Sequence, residues 1–225
     1  MTNSKDFERS VIDAQKKYDD ATWDVYRDYG KSVIKQCKNQ PKADATRARA
    51  RMFIFMVGRG YSATQYSIIP FKTGTFSLNK MAEALIKVIN NGHPKTEQNM
   101  VKILNSLKLK SAFTLRGKVH RSWLSKTCHI LWPESCPIYD TRAKRTAWKI
   151  GLKIDGCKVK TIKEWEESWK NFLIGMKCVK SALGGLHKGI TDYHELDKVL
   201  FYWGESSDKA DEFANEFATA YKKKK

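Results

Sequence analysis

Apolar residues recur at helical spacing along almost the whole chain. Leu78, Met81, Ala82, Leu85 and Ile89 form one stripe, and Met100, Ile103, Leu104 and Leu107 form another. Helix-start chemistry falls where these stripes need it. Thr96 precedes Glu97, and Thr161 with Glu164 has the spacing of a capping box ahead of Trp165, Trp169 and Phe172, which fit one buried helical face. Gly204 follows the run Leu196–Trp203 as a stop signal, and Ser206 and Ser207 supply the next start. Strand-like alternation is scarce: Tyr66–Phe71 is the one candidate, and Pro70 argues against it. The pattern predicts an all-α protein of eight to ten helices joined by short loops, with breaks near Gly58–Gly60, Pro70–Gly74, Asn90–Pro94, Gly151–Gly156 and Gly184–Gly189. No repeat or low-complexity segment divides residues 1–225. The expectation is therefore one compact multi-helix bundle, with any division into two lobes around a cleft hinged near residues 110–120.

Composition narrows the class. Over 225 residues, 41% are hydrophobic and mean hydropathy is −0.56, as in an ordinary globular chain. No apolar run approaches the ~18 residues of a membrane span, and the polar stretch Met1–Asp6 has no secretory core. A monomeric cytoplasmic protein is expected. Five cysteines at 37, 128, 136, 157 and 178 include no CxxC pair, which fits reduced thiols and neither a disulfide framework, a zinc site nor an iron–sulfur cluster. Gly58-Arg59-Gly60-Tyr61 lacks the spacing and preceding strand of a nucleotide-binding loop, so no metal, cofactor or nucleotide is expected.

Charge changes the picture most. Lys and Arg number 42 against 24 Asp and Glu, a net +18. A field of that sign favours polyanions, nucleic acid first, through contacts that weaken as salt rises. The Lys222–Lys225 run reads as a solvated tail, whereas Arg47, Arg49 and Arg51 open an apolar helix as either backbone contacts or exposed first turns.

The richest stretch runs from Val119 to Ile150. Its first part is a predicted helix ending before Pro133, with Lys126 at the edge of a face formed by Val119, Trp123 and Ile130. Desolvation disfavours a charged ammonium, so a lysine so placed offers its amine as a nucleophile. After the turn, Asp140 is the natural N-cap of a second helix whose Arg142, Arg145 and Lys149 lie opposite Ala143, Ala147 and Ile150. Taken singly, such residues are usually a solvated charge and a helix cap; their joint placement is what points to a site.

This arrangement resembles the catalytic segment of the helix-hairpin-helix DNA glycosylases, particularly those of the 8-oxoguanine type. The resemblance rests on Lys126-Thr127-Cys128-His129 followed by Pro137-Ile138-Tyr139-Asp140-Thr141-Arg142 and covers roughly thirty residues. The family's glycine-rich hairpin before the lysine is replaced by Val119–Leu124, leaving Lys118, His120 and Arg121 to grip the backbone with side chains. What the resemblance implies is a two-lobed glycosylase acting on double-stranded DNA. Lys126 would attack the sugar C1′ of a flipped nucleotide, and Asp140 would stabilise the cationic sugar and assist deprotonation. Arg142, Lys144 and Arg145 would contact phosphates. His129, Trp132, Tyr139 and Trp203 would line the base pocket, Trp203 from a segment, Asp192–Gly204, similar to the family's pocket-closing helix. The excised base would be 8-oxoguanine or, in an antiphage role, a hypermodified phage cytosine, with or without strand cleavage by β-elimination. The competing readings are a non-catalytic basic DNA- or RNA-binding protein and a structural or regulatory protein with an acidic partner.

Overall fold

The computed structural model describes residues 4–17, 20–60, 77–115, 118–158 and 161–224. Among them the protein is all-α, with twelve helices and one two-residue β pair. The segment Tyr66–Phe71 lies outside the described residues. By its internal packing the chain forms two compact units, Met1–Asp19 with Pro137–Lys225, and Asp20–Cys136. The division therefore falls at 19/20 and 136/137, and residues 110–120 lie inside one unit.

The unit Asp20–Cys136 contains α2 (Asp20–Asn39), α3 (Asp44–Gly60), α4 (Leu78–Asn90), α5 (Glu97–Asn105), α6 (Leu107–Ala112), β1 (Thr114–Leu115), β2 (Lys118–Val119) and α7 (Arg121–Leu131). Trp23, Tyr26, Val33 and Cys37 put one face of α2 into the core at i, i+3, i+10 and i+14. The α4 stripe is buried as its spacing predicts, and Ser77 caps the helix by accepting from the Lys80 N–H. The second stripe is interrupted at Ser106, which ends α5 and caps α6 through the Leu109 N–H. Thr114 pairs with Val119 and Leu115 with Lys118 in an antiparallel hairpin, and the His120 N–H donates to the Phe113 carbonyl at 2.8 Å as the chain enters α7.

The predicted loop at Gly58–Gly60 is helical instead, because α3 continues to Gly60. The missing side chain at Gly58 is the reason: a Cβ there would stand 2.8 Å from the indole of Trp123, which occupies that space and donates from Nε1 to the Ile54 carbonyl at 3.1 Å. Glycine here serves helix packing, not a turn.

The second unit contains α1 (Ser4–Lys16), α8 (Thr141–Gly151), α9 (Ile162–Glu167), α10 (Trp169–Leu186), α11 (Tyr193–Trp203) and α12 (Ser207–Lys224). Within it α8 packs on α11, α12 and α10, while α1 lies on α11 and α12. Phe7 stacks on Phe213 at 5.5 Å, and Phe213 on Trp203 at 5.1 Å. The capping box of Thr161 and Glu164 is formed in both directions. The helix it opens stops at Glu167, however, because Ser168 turns extended and caps a new helix by accepting from the Asn171 N–H. Trp165, Trp169 and Phe172 are all buried, but from two helices. Lys222, Lys223 and Lys224 are exposed, as a solvated run requires, but they form the last turn of α12, where cations suit the helix dipole.

Candidate functional site

Lys126 sits mid-way along α7, where nine consecutive residues, Trp123 to Leu131, are buried. Its relative exposure is 6%, so it lies deeper than the edge position its sequence spacing suggests. The polar neighbours are absorbed locally. Thr127 Oγ1 donates to the Trp123 carbonyl at 2.8 Å, and Ser125 Oγ to the Ser122 carbonyl at 3.0 Å. His129 is fully buried; its Nδ1 donates to the Cys136 carbonyl at 2.6 Å, and its ring packs on Trp23 at 5.0 Å. Trp132 is buried and meets His93 edge-on at 6.5 Å. Both rings thus hold the turn after α7 and are packed in the interior. Cys128 and Cys136 also share a hydrogen bond, and burial, followed by that bond, pushes the Cys136 thiol well up from its ordinary range.

The residues ahead of α7 differ in character. His120 stands at the N-cap without a side-chain capping bond, half-buried, and burial lowers its pKa. Arg121 is half-buried at the first position of α7. Lys118 is on β2, and its side chain lies outside the described residues.

The remaining candidates belong to the other unit. Asp140 caps α8 as its sequence position predicts, with Oδ1 accepting from the Arg142 N–H at 2.8 Å. It is half-buried and adopts an extended backbone, φ −114° and ψ 144°, which turns the carboxylate back onto the helix end. Arg142 is exposed, with its guanidinium 5.1 Å from the centre of the Phe201 ring. Arg145 donates to the Gly204 carbonyl at 3.4 Å, so the start of α8 and the end of α11 are held together. Lys144 is a correction to the predicted phosphate contact. It is 6% exposed, pairs with Glu166, and lies 4.8 Å over the Tyr139 ring. Its charge is thus neutralised inside the unit. Tyr139 is half-buried against Phe172 at 5.0 Å and Trp169 at 5.6 Å. Trp203 is half-buried, donates to the Ser10 carbonyl at 3.3 Å and stacks on Phe213.

No family model, curated protein or solved structure matches this chain. The site therefore rests on its own residues. Lys126, His129 and Trp132 come together on and just after α7, and Asp140, Arg142, Arg145 and Trp203 gather where α8 meets the end of α11. Nothing local marks Glu166 as the partner of Lys144, because a pair 22 positions apart leaves no sequence pattern. Phe201 beneath Arg142 was equally hidden. The Asp140 cap, by contrast, was readable from its place before an apolar helical run. Among the described residues no helix is long and apolar enough to cross a membrane.

Proposed function

We propose that this protein is a DNA glycosylase that excises a modified base from duplex DNA, with Lys126 as nucleophile and Asp140 as its carboxylate partner. The observation that carries the reading is the 6% exposure of Lys126 on a helix buried all round. Lysines are seldom this deep; Lys144 and Lys198 are as buried in ion pairs with Glu166 and Glu195, and covalent chemistry with an electrophilic sugar carbon is another use of such a position. In the proposed step the amine lone pair of Lys126 forms a bond to C1′. The glycosidic C–N bond breaks, its electrons leave with the base, and the base takes up a proton. Asp140 accepts the proton released by the attacking amine and offsets the positive charge that develops on the sugar. The nitrogen lone pair then expels O4′, which takes up a proton as the C1′–O4′ bond breaks, and the ring-opened Schiff base hydrolyses or undergoes β-elimination of the 3′ phosphate. The target is 8-oxoguanine or a hypermodified phage cytosine, the latter placing the protein in antiphage defence.

A second reading is a basic DNA- or RNA-binding protein without chemistry. Charge placement favours it: the unit Asp20–Cys136 holds 20 Lys and Arg against 7 Asp and Glu, leaving +13 of the chain's +18 on about half the residues. Borohydride trapping on duplexes carrying 8-oxoguanine or hypermodified cytosine separates the two. The glycosylase reading expects a covalent adduct that Lys126→Gln abolishes and base release that Asp140→Asn abolishes. Tight binding with no base released from any of these duplexes would leave only the second reading.

A further inference from the structure

We infer that the exposed side of the α2–α3 hairpin is the surface that grips the phosphodiester backbone of duplex DNA. The inference rests on the proposed function for its choice of partner, but not on any catalytic residue. Mixed signs are the rule on solvated helices, since opposite charges three or four positions apart support a helix. The other unit follows that rule: α12 alternates Asp208, Lys209, Asp211 and Glu212. The hairpin departs from it beyond the first half of α2. Asp20, Asp24 and Asp28 lie in that first half, but from Tyr29 to Gly60 the chain carries eight Lys and Arg and a single carboxylate, Asp44, and no further carboxylate occurs until Glu83.

The structure sorts these cations. Trp23, Tyr26, Val33 and Cys37 fix the buried face of α2, which leaves Lys31, Lys35 and Lys38 exposed on the far side at i, i+4 and i+7. Lys31 is neutralised by Asp28 at 2.9 Å, and Arg47 by Asp44. Arg51 donates to the Asn79 side chain at 2.8 Å. Lys35, Lys38, Lys42 and Arg49 are exposed and make no ion pair among the described residues. Four uncompensated cations therefore occupy one helix–loop–helix segment. The connection that joins them is fixed, since Thr46 Oγ1 donates to the Gln40 carbonyl at 2.6 Å and Arg47 to the Lys42 carbonyl at 3.1 Å. Along α2 successive charges are separated by a rise of about 4.5–6 Å. Duplex DNA presents a negative charge every ~1.7 Å of axis with both strands counted, so a row of cations at this spacing faces a denser row of negative charge. Cations of this kind read charge, not sequence, and set the register of the protein on the duplex.

The test is fluorescence anisotropy with an unmodified 20-base-pair duplex, titrated at several salt concentrations. The variant Lys35→Gln/Lys38→Gln/Lys42→Gln/Arg49→Gln is compared with one of equal charge loss in the other unit, Lys153→Gln/Lys163→Gln/Lys170→Gln/Lys188→Gln, whose four positions are also exposed. For the hairpin variant the slope of log K against log salt should shrink by roughly 2–4, with Kd rising on the order of a hundredfold near 0.1 M salt. The comparison variant should stay within about threefold of wild type, and Arg at all three lysine positions should restore binding. Equal weakening in both Gln variants would overturn the inference, because only the summed charge would then matter. Tighter binding of the same residues to double-stranded RNA than to DNA would overturn the choice of partner. Because the duplex is unmodified, the surface can fail while base release from modified DNA persists, and it can stand where no base is ever released.

Discussion

Gly204 ends α11 against the backbone of Arg142 in α8, and replacing it by alanine tests how the start of α8 is held. A Cβ on Gly204 would stand 2.5 Å from the carbonyl carbon of Arg142 and closer still to its oxygen, with the Leu200 carbonyl oxygen at 2.9 Å. These are backbone atoms inside helices and cannot rotate aside. Carbon atoms rest at about 3.5 Å or more, so one helix must move by about 1 Å. That motion would strain the Arg145 hydrogen bond to the Gly204 carbonyl and the stack of Trp203 on Phe213. Overpacking of this kind typically costs 1–3 kcal/mol, and with rigid backbone on both sides we expect about 3–5 kcal/mol. For a chain of this size that lowers Tm by roughly 6–20 °C. Thermal unfolding followed by circular dichroism, with urea unfolding read by tryptophan fluorescence, measures it directly. Gly185→Ala is the comparison. Gly185 lies in α10 with no atom within 4 Å of an added Cβ, so the alanine should stabilise by about 0.4–1 kcal/mol. If Gly204→Ala melts within about 2 °C of wild type, the close approach does not fix α8 and the reasoning fails.

Two further outcomes follow from the site. Asp140→Ala should lose about 1 kcal/mol of stability with the helix cap, whereas Asp140→Asn should keep the cap within a few tenths. Urea midpoints of both variants, set beside base release, separate capping from chemistry, and full activity in the asparagine variant would assign Asp140 to capping alone. For His120, burial lowers the folded pKa below the ordinary value of 6.5. The unfolded chain then binds more protons, so the contribution of His120 is fully present above pH 6.5 and is lost as pH falls through the lower folded pKa. Urea midpoints from pH 7.5 to 5 should fall less steeply in His120→Gln than in wild type, and parallel curves would refute the assignment.

The features legible in the sequence are those whose cause is local. The Asp140 cap, the Thr161–Glu164 box and the stop at Gly204 each depend on bonds within four residues, and each occurs where its residue types call for it. Where the cause was tertiary, the same signals misled. Gly58 looked like a loop residue, yet it is helical because Trp123, 65 positions later, fills the space of its absent side chain. Trp165, Trp169 and Phe172 satisfy one helical face, but Ser168 between them can cap as readily as continue, and the cap was formed. α7 shows the limit most clearly. Its apolar stripe predicts one buried face with Lys126 at the edge, since Ser125, Thr127 and His129 ordinarily mark solvent. Instead the two hydroxyls donate to carbonyls of their own helix, and the imidazole to the turn that follows. Once those donors are satisfied, burying the polar side costs little more than burying an apolar one. A helical wheel ranks residues by polarity and does not see this, which is why it left Lys126 at the rim. With the donors of its neighbours satisfied, the polar side of α7 is buried together with Lys126, and the proposed nucleophilic role depends on that depth.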